Sequence, residues 1–164
     1  MAEALDDLDL TIIKALQKDG RVSFDKIAAK VGVSARTISA RVNRLVENGT
    51  INITAVVNPE RVGYPVLATV FIETEINRTR AVANYLAAME EVAFVGLTSG
   101  DPEIYISVRA ASNSALAQLM SDKLPAIDGV RRTRMLLVLD VVKAASRWTI
   151  PQGTKRGKSR NPGG

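Results

Sequence analysis

Arginine side chains that could bind nucleic acid recur along the short segment 34–46. Arg36, Arg41 and Arg44 fall on one side of a helix, and no Asp or Glu interrupts the segment. A guanidinium presents a planar fork of donors that fits guanine edges and phosphate oxygens. We therefore expect this segment to bind the DNA major groove. Its candidate contact residues are Ser34, Arg36, Thr37, Ala40, Arg41 and Arg44.

Two short amphipathic helices must position these side chains. Ser23 and Ser34 are expected N-caps, and Gly32 supplies a tight turn between the helices. The second helix should end at Asn48-Gly49. Its predicted buried stripe consists of Ile38, Val42, Leu45 and Val46. This layout is typical of a helix-turn-helix; the alternative is a structural helical hairpin with a solvated charged face.

Another helix should precede this pair, and a strand should follow it. The preceding helix is predicted to begin at Asp6 and to end at Asp19-Gly20. Its expected buried residues are Leu8, Ile12, Ile13 and Leu16. Alternating apolar residues over 50–57 predict a strand that serves as a wing or as a hinge to the next domain.

The second half of the chain follows the order βαββαβ, typical of a ferredoxin-like sheet with both helices on one face. The predicted strands are residues 66–73, 92–98, 104–110 and 130–143, and the predicted helices are 79–89 and 112–123. The fold class is therefore α+β, a winged helix-turn-helix followed by this second domain.

The face of the sheet away from the helices should also be covered. Residues 135–139 are apolar on both sides of the pleat, and Leu67 and Phe71 point away from Ala68 and Val70. A strand that is apolar on both faces is normally buried on both. A second copy of the sheet would provide the cover and form a two-fold dimer. The alternative is a strand with stray exposed leucines.

Composition argues against most enzymatic classes. The chain has 46% apolar residues but neither cysteine nor histidine, so thiolate or histidine metal sites and His-dependent catalysis are impossible. No glycine-rich phosphate loop occurs. We expect no catalytic or metal-ligating residues and no enzyme. No apolar run is long enough to span a membrane and no signal peptide is recognised, so we expect a soluble, cytoplasmic, nucleoid-associated protein.

The segment 151–164 carries most of the net charge of +5. It contains four basic residues and no acidic one, and its Gly, Pro and polar content favours disorder. The basic residues are Lys155, Arg156, Lys158 and Arg160. Such a tail could add phosphate contacts or act as a solubilising extension, and the sequence fits both readings.

Several motifs in order resemble the Lrp/AsnC family of transcription regulators. The resemblance covers about residues 5–150 and rests on LDDLDLTIIKALQKDGRVS, VGVSARTISARVNRLVENGTI, NPERVGY, the SGD turn and GVRRTRMLLVLDVVK. It implies a dimer that often assembles further, for example into octamers. It also implies a RAM-type second domain, similar to ACT domains, that binds a small molecule, usually an amino acid, between dimers.

The resemblance also implies where an effector would bind. The matching positions here are Thr98, Ser99, Gly100, Asp101 and, on the fourth strand, Thr133. Backbone N–H groups and hydroxyls could hold a carboxylate, and Asp101 could hold an ammonium group. The turn departs from the family pattern, which usually continues with an aromatic residue and an Asp, where this chain has Pro102-Glu103.

The sequence thus predicts a regulator that binds double-stranded DNA and forms a homodimer or a higher oligomer. An amino-acid effector would modulate it; no cofactor is expected. The expected domains are a DNA-binding domain (1–62), an effector-binding and oligomerisation domain (63–150) and a basic tail (151–164). One alternative is an architectural protein that wraps DNA without a ligand. An enzyme or an allosteric enzyme subunit is a further alternative, suggested by the ACT-like half alone.

Overall fold

The computed structural model describes residues 5–151. Within this range the chain forms two compact units. The first contains residues 5–56 together with 144–151, and the second contains residues 57–143. The four basic residues of the predicted tail lie outside the described residues. No helix among the described residues is long and apolar enough to cross a membrane.

The first unit contains the three predicted helices. They are α1 (Asp7–Lys18), α2 (Phe24–Val31) and α3 (Ala35–Glu47). Their apolar faces meet in one core, whose buried members are Ile12, Ile13, Ile27, Ala28, Ile38, Val42 and Leu45. The helices therefore derive their stability from burying one face each, as their 3.6-residue periodicity predicts.

Each helix begins at the residue that the sequence predicts as its cap. Asp6 accepts a hydrogen bond from the Asp9 backbone N–H at 2.8 Å, and the Asp9 carboxylate accepts one from the Asp6 N–H at 3.1 Å. Ser23 caps α2, and Gly32 ends that helix at φ +75°, a conformation costly for other residues. The turn between α2 and α3 is therefore determined locally.

Three predicted core positions are less buried than expected. Val46 is exposed, and Leu8 and Leu16 are only half-buried. The buried stripe of α3 is centred on Ile38 and Leu45, and Val46 lies roughly 90° from that centre because each residue advances the helix by about 100°. A residue at the edge of the stripe in the last turn remains accessible to water.

The predicted strand over residues 50–57 is not formed. The segment 51–58 has no regular secondary structure, and Ile53, Val56 and Val57 are exposed. A strand requires a neighbouring strand to satisfy its backbone N–H and C=O groups, and no described strand lies against this segment. The alternating pattern was therefore insufficient evidence for a wing, and that prediction is corrected.

The second unit has the predicted βαββαβ order. Its elements are β1 (Val66–Thr74), α4 (Thr79–Ala87), β2 (Val92–Leu97), β3 (Ile104–Ala110), α5 (Asn113–Gln118) and β4 (Val130–Leu137). α5 continues as a π-helical turn over Leu119–Lys123. The strands lie in the order β2-β3-β1-β4 and all pairs are antiparallel. The predicted α+β fold is confirmed.

The two helices cover one face of this sheet. Alternate residues of β1 and β3 are buried against them, including Val70, Ile72, Ile104 and Ile106. The intervening residues point to the other face, because side chains alternate across a strand. Directly paired residues share a face, so the register assigns each β4 residue to one side.

The fourth strand ends earlier than predicted. β4 stops at Leu137, after which the Val138 N–H donates to the Leu67 carbonyl oxygen at 2.9 Å. Its partner β1 begins at Val66, one residue before Leu67, so β1 offers no partners to the residues predicted after Leu139. Leu139 itself is unpaired in the sheet and almost fully exposed. Burial on both faces, expected for 135–139, is not provided by the residues that the structure describes.

The segment 144–151 belongs to the first unit, although the predicted second domain extended to residue 150. The Gln17 amide binds its backbone at two points. Gln17 Nε2 donates to the Trp148 carbonyl oxygen at 3.3 Å, and the Ile150 N–H donates to Gln17 Oε1 at 3.1 Å. Ile150 also packs against the three-helix core. These contacts hold the segment against α1.

Candidate nucleic-acid interface and effector pocket

The start of α3 is held by a pair of hydroxyl groups. The Ser34 Oγ accepts a hydrogen bond from the Thr37 N–H at 3.1 Å and lies 2.9 Å from the Thr37 Oγ1. This cap satisfies one of the orphan backbone donors of the first turn. Ser34 therefore has a structural role as the N-cap of α3, in addition to any contact with DNA.

Arg36, Thr37 and Ala40 form one exposed side of α3. Ile38, Val42 and Leu45 lie on the opposite side, in the core. The helix thus presents a guanidinium, a hydroxyl and a small apolar side chain away from the core. This combination can donate to guanine, bond to a base edge or phosphate, and contact a thymine methyl group.

Arg41 and Arg44, which the sequence analysis also selected as DNA contacts, bind carboxylates within the unit. The Arg41 Nη1 is 2.5 Å from the Asp6 Oδ2 and 3.0 Å from the Asp9 Oδ1. The Arg44 Nη2 is 2.6 Å from the Asp9 Oδ2. Both arginine side chains are about one-third exposed, whereas Asp9 is buried. The sequence predicts all three arginines on the solvated side of α3; the structure leaves Arg41 and Arg44 partly exposed and pairs both with carboxylates.

The contacts in this cluster shift the pKa values of Asp6 and Arg41. The Asp9 backbone N–H, with further help from the Arg41 guanidinium, lowers the pKa of Asp6 below its ordinary value. The hydrogen bonds from Arg41 to Asp6 and Asp9 raise the pKa of that arginine. Both shifts favour the charged forms, so the cluster ties the first turn of α1 to α3 as an ion pair. Sequence patterning identified Asp6 as a cap but could not reveal these pairs, which join residues 32 to 35 positions apart.

The turn between β2 and β3 carries four of the five predicted effector residues. The Thr98 N–H donates to the Glu103 carbonyl oxygen at 2.8 Å, and the Thr98 hydroxyl donates to the carbonyl oxygens of Gly100 and Pro102. The Glu103 carboxylate accepts from the Thr74 N–H at 3.0 Å, which fixes the turn to β1. The Thr98 hydroxyl therefore closes the turn.

Asp101 and Pro102 line a small cavity of about 170 Å³. The other lining residues are Phe71, Glu73, Arg132 and Arg134, all on the sheet face away from the helices. The cavity is smaller than the roughly 300–1,000 Å³ of drug-sized ligand pockets. Its size therefore suits a ligand no larger than a small metabolite.

Charges of both signs surround this cavity. The Glu73 carboxylate is 3.8 Å from the Arg132 Nη1 and 3.9 Å from the Arg131 Nη2, distances longer than a hydrogen bond. The Arg134 guanidinium lies 5.1 Å from the centre of the Phe71 ring, a cation–π contact. Two carboxylates and two guanidinium groups converge here, so the cavity can bind both ends of a zwitterion.

Thr133 does not reach this cavity. It is paired with Ile72, whose side chain is buried against the helices, so Thr133 points to the helix-covered face and away from the cavity. Thr98, Ser99 and Gly100 are on the turn but do not line the cavity. The structure therefore brings together Asp101 and the two arginines that flank Thr133, which the sequence analysis did not select. The alternation of side chains along β4 could have identified these arginines, because the residues on either side of Thr133 point to the face opposite to it.

The face of the sheet that carries the cavity also exposes apolar side chains outside it. Phe94 and Leu136 are about half-exposed, and the Phe94 and Tyr105 rings pack with centroids 5.1 Å apart. Gly96 lies beneath these rings, and a Cβ there would clash with the Tyr105 ring in its present position, so a larger residue would force the aromatic pair to move. This open face lacks a cover within the described chain.

Comparison with known proteins defines the class of this fold. A family model described as an AsnC-type helix-turn-helix domain matches residues 5–46, and one described as an Lrp/AsnC ligand-binding domain matches residues 67–148. The chain belongs to the Lrp/AsnC family and is a DNA-binding transcriptional regulator with a ligand-binding domain. The predicted family membership is confirmed.

Particular relatives support this assignment along nearly the whole chain. An uncharacterised HTH-type transcriptional regulator of Pyrococcus furiosus is 36% identical over 85% of this chain and 95% of its own length. The HTH-type transcriptional regulator FL11 of the same organism is 38% identical over 87% of this chain and 95% of its own length.

Two solved structures show the same architecture. AsnC of E. coli superposes with a TM-score of 0.81 at 29% identity, covering 89% of this chain and 97% of AsnC. A Neisseria meningitidis regulator solved as a complex with L-Met has a TM-score of 0.80 at 21% identity, covering 88% of this chain and 96% of its own. The latter likeness establishes the fold alone.

Proposed function

We propose that this regulator reads DNA through Arg36, Thr37 and Ala40, and that an amino acid bound in the Asp101 cavity modulates its assembly or DNA affinity. The observation that carries the effector proposal is the convergence of Asp101 and Glu73 with Arg132 and Arg134 around a small cavity. Regulation rather than catalysis is the proposed role, exerted on chromosomal DNA in the cytoplasm.

The proposed division of labour on α3 follows from its contacts. Arg41 and Arg44 already bind carboxylates at the N-cap and in the first turn of α1, and a base contact would have to replace those ion pairs. Arg36 has no acidic neighbour on α3, and its exposed side chain can enter the groove. We assign base reading to Arg36 and orientation of α3 to Arg41 and Arg44, with Ser34 as the cap that aligns the first turn.

An α-amino acid fits the charges of the proposed effector pocket. A guanidinium binds a carboxylate in two-point geometry, and the Asp101 carboxylate can receive an ammonium group. The Phe71 ring offers an apolar surface for a side chain. The solved complex of the Neisseria meningitidis regulator with L-Met supports amino acids as the ligand class to test first.

We further propose that the open face is the dimer interface and that dimers assemble further, as in an octamer. The exposed apolar residues of this face support the proposal, because monomeric proteins rarely leave such patches uncovered. The cavity lies on the same face, so a ligand there would act close to the proposed interface. Ligand binding could then be coupled to assembly, typically by about 1–3 kcal/mol.

The test is a calorimetric screen of the twenty amino acids against the wild type, Asp101→Ala and Asp122→Ala. Asp122 is an exposed carboxylate away from the cavity and serves as the control for charge. We expect at least one binder for the wild type and the control and none for Asp101→Ala. Asp101→Ala should still fold and bind DNA without effector. An empty screen for all three proteins would favour an architectural DNA-binding protein that acts without a ligand.

A further inference from the structure

A groove in the first unit has no part in the proposed DNA or effector sites. It lies between α1 and α2 and has a volume of about 740 Å³. Four of its lining residues are lysines, two on each helix. They are Lys14, Lys18, Lys26 and Lys30.

The lysines form two rows because each pair is spaced by four residues. Side chains at i and i+4 lie above one another on a helix, so one row follows α1 and the other follows α2. Among the described residues Asp19 is the single carboxylate that lines the groove, and its Oδ1 accepts the Arg21 N–H at 2.9 Å. The groove is therefore strongly cationic along both sides.

The floor between the two rows is apolar. Ala15 and Val22 are half-buried, and Ile27 is buried with its side chain in the core of the unit. A duplex presents phosphates and sugars along its backbone and would leave such a floor unused. A partner that combines an apolar stripe with flanking acidic groups would use both the floor and the rows.

We propose that this lysine groove docks an acidic amphipathic helix of another protein. The apolar stripe of that helix would lie on Ala15 and Val22, above the buried Ile27, and its carboxylates would face the two lysine rows. Charge complementarity argues for this occupant, since lysines on both sides of an apolar floor mirror a helix with acidic residues on both sides of its stripe. Helices that bind in grooves in this manner present anchors at i, i+3, i+4 and i+7.

The probe is a synthetic peptide of about 15 residues, long enough for marginal helicity, with leucines at those positions and glutamates beside them. Its binding to the full chain is measured by fluorescence anisotropy. A scrambled peptide of the same composition tests the pattern, and a Glu→Gln version tests the charge. We expect the patterned acidic peptide to bind at least about tenfold more tightly than either control, a difference of about 1.4 kcal/mol.

Charge reversal locates the site. Lys14→Glu with Lys18→Glu, and separately Lys26→Glu with Lys30→Glu, should each weaken peptide binding at least about tenfold. Arg61→Glu with Arg80→Glu applies the same change to exposed side chains of the second unit and should change binding less than about twofold. All four lysine side chains are exposed, so these variants should fold; circular dichroism checks this.

Three results would overturn the proposal. The scrambled peptide could bind as well as the patterned one, which would reduce the effect to net charge. The loss of peptide binding could be confined to one lysine row, or the Arg61→Glu with Arg80→Glu control could lose as much peptide binding as the lysine variants. Finally, the lysine variants could weaken binding to random duplex DNA more than that control does, which would make the groove a surface for the DNA backbone. Retained DNA binding by the lysine variants keeps this test separate from the proposed DNA-reading function.

Discussion

Arg44 and Asp9 are joined by an ion pair of 2.6 Å between the Arg44 Nη2 and the Asp9 Oδ2, although 35 residues separate them in the chain. The Asp9 carboxylate is 1% exposed and also receives the Arg41 guanidinium. A buried carboxylate of α1 thus holds two cationic side chains of the helix proposed to read DNA. The orientation of α3 depends on this cluster as well as on apolar packing.

Asp9→Asn should destabilise the first unit by about 1–3 kcal/mol, because hydrogen bonds to charged groups contribute more than neutral ones. Partial exposure of both arginines keeps the loss below that of a fully buried pair. Trp148 is the only tryptophan of the chain and lies in this unit, so its fluorescence reports unfolding. Asp7→Asn, which changes an exposed carboxylate in the same turn, is the control. Equal unfolding midpoints for both variants would contradict a structural role of Asp9.

Arg36→Ala and Arg41→Ala should weaken DNA binding in different ways. Loss of a two-point guanine contact costs about 1–3 kcal/mol, so Arg36→Ala should weaken operator binding roughly 5- to 150-fold. Its effect on random DNA should be smaller. Arg41→Ala should lower the stability of the unit and weaken both DNAs alike. Competition assays with an operator selected in vitro measure both ratios, and a larger loss of specificity in Arg41→Ala would assign base reading to Arg41 instead.

The lowered pKa of Asp6 predicts an acid-sensitive first unit. A carboxyl whose native pKa lies below its unfolded value of about 3.9 stabilises the fold above that pH. This stabilisation is lost as the pH falls through the native pKa. Urea unfolding followed by Trp148 fluorescence between pH 7 and about pH 2 should therefore show a steeper acid decline for the wild type than for Asp6→Asn. Parallel curves for the two proteins would show that Asp6 does not cause the acid sensitivity of the first unit.

Leu136→Glu should dissociate the proposed dimer. Burying a leucine contributes about 1.5–3 kcal/mol, and a two-fold interface contains the residue twice. We expect the dissociation constant to rise at least about tenfold, measured by sedimentation equilibrium with circular dichroism as the check on folding. Tyr85→Glu changes an exposed aromatic residue on α4, away from this face, and is the control. A dimer that withstands Leu136→Glu and not Tyr85→Glu would place the interface on the helical side.

The sequence by itself determined the local features of this protein. Caps such as Ser23 and Ser34 and the turn at Gly32 depend on bonds between neighbours in the chain, so residue type and spacing were sufficient to predict them. The order of strands and helices followed from apolar periodicity in the same way. Family membership also followed from motifs in linear order.

Only the tertiary structure decided what residues distant in the chain do together. The sequence pattern predicted that Arg41 and Arg44 are solvated, whereas in the folded unit they bind Asp6 and Asp9. The segment 50–57 had the pattern of a strand but lacked a partner to pair with, and β4 ended where β1 began. Thr133 was replaced by its neighbours Arg132 and Arg134 because strand register assigns each side chain to one face. Ion pairs, strand pairing and register all join residues that are distant in the chain, and a local sequence pattern does not identify the distant partner.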